Sequence, residues 1–146
     1  MQSRIGSRAL NPTNGHPPPS ILVVDDDPDI LEALSEILES EGFAIRQARN
    51  GQEALEILET VSPNLILLDL MMPVMDGWEF AEKMRRRVDW SQIPVIVLSA
   101  DRNIGGRARE LGALGYLAKP FELSALLSLV QSSLSRSQKT KTRGPP

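Results

Sequence analysis

Five short apolar runs alternate with helix-like stretches along the middle of this chain, and four of the five close on polar residues. The runs are Ile21–Val24, Phe43–Ala48, Leu65–Leu68, Pro94–Leu98 and Gly115–Ala118; Asp25-Asp26, Asp69, Ser99 and Lys119 follow the first, third, fourth and fifth. Strands separated by helices need right-handed crossovers and therefore build a parallel sheet with helices on both faces. Ligands bind such sheets at the carboxyl ends of the strands. Polar groups that all fall on that one rim are hard to explain as solvated loops.

The intervening stretches carry their own start and stop signals. Asp27 is placed to N-cap a helix with Pro28 at its first position, and Ile30, Leu34, Ile37 and Leu38 make its apolar stripe before Gly42 ends it. Asn50-Gly-Gln-Glu53 and Asp76-Gly-Trp-Glu79 have the spacing of capping boxes. Phe80, Ala81, Met84 and Val88 continue the third helix; Gly105 and Gly106 weaken the fourth. Leu123, Leu126, Leu127, Val130 and Leu134 stripe the fifth. The expected fold is α/β: a flavodoxin-like, doubly wound, five-stranded parallel sheet in order 2-1-3-4-5, with five helices. In that order Asp25, Asp26 and Asp69 lie side by side, with Ser99 and then Lys119 further along the rim.

Composition narrows the class. The tails hold six of the 16 basic residues and none of the 19 acidic ones, so residues 21–134 carry ten bases against all 19 acids. An acidic body argues against direct nucleic-acid binding and fits one that takes a cation and meets a protein. The chain has no cysteine, which removes disulfides and thiolate metal sites. No apolar run approaches a membrane span and no signal peptide is visible, so no membrane is expected and the cytoplasm is the expected location. Residues 1–19, broken by Asn11-Pro12 and Pro17-Pro18-Pro19, read as a disordered tail; residues 135–146 read as a basic disordered tail. His16, the single histidine, falls in the first of these.

Clustered carboxylates repel one another, and a hard divalent cation relieves that repulsion. Mg²⁺ keeps several waters and needs few protein oxygens, so Asp26 and Asp69 are assigned as direct ligands. The Met71 backbone carbonyl is a third, and Asp25 acts largely through water. Mn²⁺ is an acceptable substitute. A carboxylate beside a metal and a lysine is also a nucleophile toward phosphorus. Asp69 would attack a phosphoryl group, Lys119 would neutralise the equatorial oxygens, and the Ser99 hydroxyl would donate to one of them. Taken singly, each group has an ordinary reading: an N-cap with solvated neighbours, a turn aspartate, a surface lysine. Tyr116 reads equally as an edge aromatic over the core or as a moving switch. Arg85-Arg86-Arg87 reads as the wet end of a helix.

Four motifs then decide the class: Ile21-Leu-Val-Val-Asp-Asp-Asp-Pro28, Leu68-Asp-Leu-Met-Met-Pro-Val-Met-Asp-Gly77, Val97-Leu-Ser-Ala100 and Gly115-Tyr-Leu-Ala-Lys-Pro-Phe121. In order and spacing they resemble the receiver domain of two-component response regulators, over residues 20–134. The resemblance implies that Asp69 accepts phosphate from a histidine kinase or histidine phosphotransfer protein and that Asp25 and Asp26 hold Mg²⁺. It further implies that Ser99 and Tyr116 form a switch pair, that Lys119 contacts the phosphoryl group, and that the Lys119–Pro120 bond is cis. Ser99 stands where Thr is commoner. A downstream protein partner is expected on the face formed by residues 99–134, with the chain a monomer or a phosphorylation-dependent dimer. Conventional enzyme activity is not expected beyond self-phosphorylation from small donors and autodephosphorylation.

The 12 residues after 134 leave no room for an output module, so the chain is read as a stand-alone receiver or one cut from a larger protein, Met1 favouring a native start. Two other readings compete. A haloacid-dehalogenase-type phosphatase would want an acidic residue two positions after Asp69, where Met71 stands. A phosphate-independent receiver-like binding module would usually lack one of the acidic or lysine positions.

Overall fold

A computed structural model describes residues 17–101 and 103–143, with side chains as far as Ser135. The elements alternate as read: β1 (Ser20–Val24), α1 (Pro28–Ser40), β2 (Ala44–Ala48), α2 (Gly51–Leu58), β3 (Leu65–Asp69) and α3 (Gly77–Arg85). Then come α4 (Val88–Ser91), β4 (Val95–Ser99), α5 (Gly105–Glu110), β5 (Gly115–Ala118) and α6 (Leu123–Arg143). All strands pair in parallel, in the order β2-β1-β3-β4-β5. Among the described residues, no helix is long and apolar enough to cross a membrane.

The two-residue alternation of each strand divides the core into two layers. Ile21, Val23, Leu65, Leu67, Ile96 and Leu98 pack under α1 and α6 against Leu31, Leu34, Leu38, Leu126 and Val130. Leu22, Val24, Ile66, Leu68 and Val97 face the other way, against Ala54, Leu58, Phe80, Met84 and Ala108 of α2, α3 and α5. The three central strands are wholly apolar where they are covered because both faces are buried. Leu65 to Leu68 have no exposure at all, and truncating one to alanine would cost about 3 kcal/mol.

The N-caps act as read, while the Glu53 carboxylate of the first capping box turns to the Arg49 amide and not to that of Asn50. The Asp27 side chain accepts from the Asp29 amide, Asn50 from Glu53 and Asp76 from Glu79. Gly42 takes φ +98° just past α1, a conformation that an L side chain resists.

Two expectations differ from what the structure shows. Six helices are present among the described residues, not five, because the third expected helix breaks at Arg86-Arg87. Val88 then leaves the apolar stripe and is 84% exposed, while Trp90 of the short α4 turns inward and is buried. The Arg87 guanidinium lies 3.7 Å from the Trp90 ring centroid and pairs with Glu59 and Asp89, closing the break from outside. The arginine run is exposed at the end of α3, as read, and it also makes contacts: Arg85 donates to the Glu110 carbonyl at 2.9 Å. Finally, α6 runs on to Arg143 instead of giving way to a disordered tail at 135. No Gly or Pro interrupts 123–143, the first being Gly144-Pro145, and basic residues suit a helix C-terminus. The reading of residues 1–19 as a tail lies outside the described residues except for Pro17–Pro19, which form no element.

Candidate phosphoacceptor and metal site

The rim of the sheet gathers what the sequence distributed. Asp25 follows β1, Asp69 ends β3, Ser99 ends β4 and Lys119 follows β5. Pairing of β1 with β3 puts Val24 beside Leu68, so Asp25 and Asp69 are next to each other at the same level. One oxygen from each of Asp25, Asp26 and Asp69 falls within 4.8 Å of the others. Asp25 is fully buried and Asp69 nearly so, whereas Asp26 is exposed.

Both Asp25 oxygens are engaged. Oδ1 accepts from the Asp27 amide at 3.0 Å and Oδ2 from Lys119 Nζ at 2.8 Å. The same ammonium lies 3.6 Å from Asp69 Oδ2, while Asp69 Oδ1 accepts from the Met71 amide at 3.3 Å. One lysine thus serves two buried carboxylates. Burial, then the Asp25 charge, raise the Asp69 pKa from 3.8 to about 6, against the opposing effects of Lys119 and the Met71 amide. Burial alone would lower the Lys119 pKa, but its hydrogen bond to Asp25 and the Asp69 charge outweigh it, so the net shift is upward.

Ser99 is buried and holds two neighbours. Its hydroxyl oxygen accepts from the Asp101 amide at 3.1 Å, and its carbonyl accepts from the Lys119 amide at 2.7 Å. That second bond registers the turn after β5, with its cis Lys119–Pro120 peptide, against the end of β4. Tyr116 is the outlier: it is 43% exposed, so it does not cover the core.

The loop after Asp69 contains two features that residue types alone did not reveal. Gly77 is needed because a Cβ there would lie 2.6 Å from the Asp69 carbonyl oxygen. Its place in the Asp76–Glu79 capping box was the available clue. Val74 sits at φ +69° inside a turn closed by a Pro73 carbonyl to Met75 amide bond of 2.7 Å. No turn chemistry predicts a β-branched residue there.

Three carboxylates against one ammonium leave excess negative charge on hard oxygen donors, which adds to burial in raising the Asp69 pKa. This donor set fits a hard divalent cation such as Mg²⁺ and does not fit a soft metal.

The sequence profile of the response regulator receiver domain matches residues 21–131. Response regulator Rre1 of Synechocystis is 35% identical over 130 residues, 87% of this chain and 56% of that protein. Response regulator MprA of Mycolicibacterium vanbaalenii is 38% identical over 121 residues, 82% and 52% respectively. The signal receiver domain of a Syntrophus aciditrophicus histidine kinase superposes with a TM-score of 0.77 at 36% identity, covering 84% of this chain and 94% of that one. Thermotoga maritima TrrA, solved with Mg²⁺ and a beryllium fluoride, gives a TM-score of 0.71 at 34% identity, covering 79% and 98%. The chain belongs to the response regulator receiver family. It spans about half the length of the curated relatives it matches.

Proposed function

We propose that this receiver accepts a phosphoryl group on Asp69 from a histidine kinase or histidine phosphotransfer protein and passes the change to a protein partner. The observation that carries this reading is the Asp69 carboxylate at the rim, with Lys119 Nζ 3.6 Å away and two further carboxylates within 4.8 Å. An Asp69 oxygen attacks phosphorus in line. The new O–P bond forms as the bond to the donor breaks, and the donor's imidazole nitrogen, or acetate from acetyl phosphate, leaves with the electron pair.

Asp25, Asp26 and Asp69, with the Met71 carbonyl, would hold Mg²⁺ or Mn²⁺, which when bound supplies positive charge to the phosphoryl oxygens. Lys119 then shares its charge between Asp25 and the transferred group. The Ser99 oxygen already accepts from Asp101, so its proton is available to donate to a phosphoryl oxygen. The Mg²⁺ and beryllium fluoride bound by Thermotoga TrrA support the same chemistry for the acidic cluster here.

Ser99 drawn toward the phosphoryl group vacates space that the Tyr116 ring fills, and the α5–β5–α6 face changes shape for its partner. Treatment with acetyl phosphate and Mg²⁺ tests the chemistry by intact mass. The parent gains one phosphoryl group, lost in alkali or hydroxylamine, and Asp69→Asn gains none. Label that persists in Asp69→Asn removes the assignment.

A further inference from the structure

The Tyr116 ring rests on Gly105. A Cβ added at Gly105 would stand 2.9 Å from the Tyr116 hydroxyl oxygen, 3.0 Å from Cζ and 3.1 Å from Cε1. The phenol therefore occupies the volume that any other residue would fill. Its neighbour Gly106 has nothing within 4 Å of the corresponding position. Two adjacent glycines thus begin the same helix, one with a ring against it and one facing open space.

The geometry points to Gly105 as a positioning residue: its bare Cα is the seat that holds the Tyr116 ring outward, and a side chain there drives the ring inward toward Ser99. This rests on the reading of Ser99 and Tyr116 as a coupled pair. The ring and not the helix yields, because α5 is anchored on both sides of the contact. Ile104 and Ala108 are buried, and the Arg107 guanidinium lies 4.3 Å from the Trp78 ring centroid on α3. A tyrosine ring, by contrast, moves by a rotation about one side-chain bond. Removing the seat raises the fraction of molecules with the ring already inward. A ligand selective for that state then binds more tightly by the same fraction.

The test compares Gly105→Ala with Gly106→Ala, each alone and with Tyr116→Ala. Both glycine substitutions raise helical propensity equally, so the pair separates sterics from helix stability. The readout is half-saturation by beryllium fluoride at constant Mg²⁺, followed by amide NMR, which also reports folding. Gly105→Ala should lower half-saturation by about threefold or more relative to Gly106→Ala. That difference should vanish in the Tyr116→Ala background. In ligand-free Gly105→Ala, the Tyr116 ring resonances should shift toward those of the ligand-bound parent.

Equal half-saturation for the two alanine variants overturns the seat, as does a difference that survives Tyr116→Ala. A ring displaced outward gives a higher half-saturation in Gly105→Ala than in Gly106→Ala, which overturns it too. A Gly105→Ala protein that does not fold shows that the helix and not the ring is what the contact constrains, and also overturns it. A parent that binds no beryllium fluoride defeats the phosphoryl site itself, a result distinct from these.

Discussion

At the scale of single residues, the site is a charge imbalance held in place by burial. Asp25 takes the short contact with Lys119 and the Asp27 amide, which leaves Asp69 with the longer lysine contact and one amide. Asp69 is thus the less compensated of the two buried acids, which suits the residue proposed as phosphoacceptor. Its folded-state pKa of about 6, against 3.8 ordinarily, means that the folded protein holds this proton more tightly than the unfolded chain. Without divalent cation, the Asp69 contribution is unperturbed below about pH 4. It then becomes unfavourable as pH rises through about 6, with a ceiling of about 3 kcal/mol that solvent beside Asp26 will reduce. Asp69→Asn removes the penalty. Urea unfolding in chelator should find the variant more stable than the parent at pH 7 and should find the gap closing toward pH 4. A gap independent of pH would mean that Asp69 destabilises the fold through something other than the ionisation of a buried carboxyl.

At the scale of elements, the turn between β3 and α3 is the least relaxed connection at the site. Its ends are tied down by the Gly77 amide on the Leu70 carbonyl and the Gly51 amide on the Met75 carbonyl, both at 3.0 Å. Between those ties, Val74 bears a positive φ that costs a β-branched residue about 1–3 kcal/mol. Val74→Gly should therefore raise stability by about 1 kcal/mol, after allowance for the entropy glycine loses on folding. Val74 is 80% exposed, so little packing is sacrificed. A destabilised variant in thermal unfolding would contradict the strain. Elements with local rules were legible in advance: the Asp27, Asn50 and Asp76 caps sit where side-chain oxygens at the right spacing put them. Those decided by tertiary contacts were not. The Arg86-Arg87 break depends on Trp90 finding the core, and Val88 fits a helical stripe as well as it fits the start of α4. The far end of α6 shows the converse error, in which polar composition was read as disorder although no residue before Gly144 breaks a helix.

At the scale of the molecule, strand order is what makes a site out of distant sequence. Asp25 and Lys119 are 94 residues apart and meet at 2.8 Å because β1 and β3 are adjacent and β4 and β5 follow. Alternation and crossover handedness indicate only a parallel sheet; the order 2-1-3-4-5 is an assumption from flavodoxin-like folds of five strands, and it is on that assumption that the membership of the rim was legible: Asp25, Asp26, Asp69, Ser99 and Lys119 all lie there. What residue types left open was which way Tyr116 faces, since an edge tyrosine suits either solvent or core. The contact with Gly105 depends on the approach of α5, which no local pattern encodes. The same architecture predicts how a change at Asp69 spreads. Ser99 is bonded through its carbonyl to Lys119 and through its hydroxyl to Asp101, so its displacement disturbs both flanks of α5 and β5. Amide exchange with and without beryllium fluoride should change most between residues 99 and 121. Changes confined to 25–29 and 69–76 would mean that the charge is felt only by its ligands.

The central claim is that Asp69, among three carboxylates within 4.8 Å, is the one that takes the phosphoryl group. Hydride reduction distinguishes them, since borohydride converts an aspartyl phosphate to homoserine and leaves free aspartate untouched. After exposure to acetyl phosphate and Mg²⁺, reduction and peptide mapping should find homoserine at position 69 and aspartate at positions 25 and 26. Homoserine at position 25 or 26, or an unreduced phosphate ester on Ser99, would contradict the account.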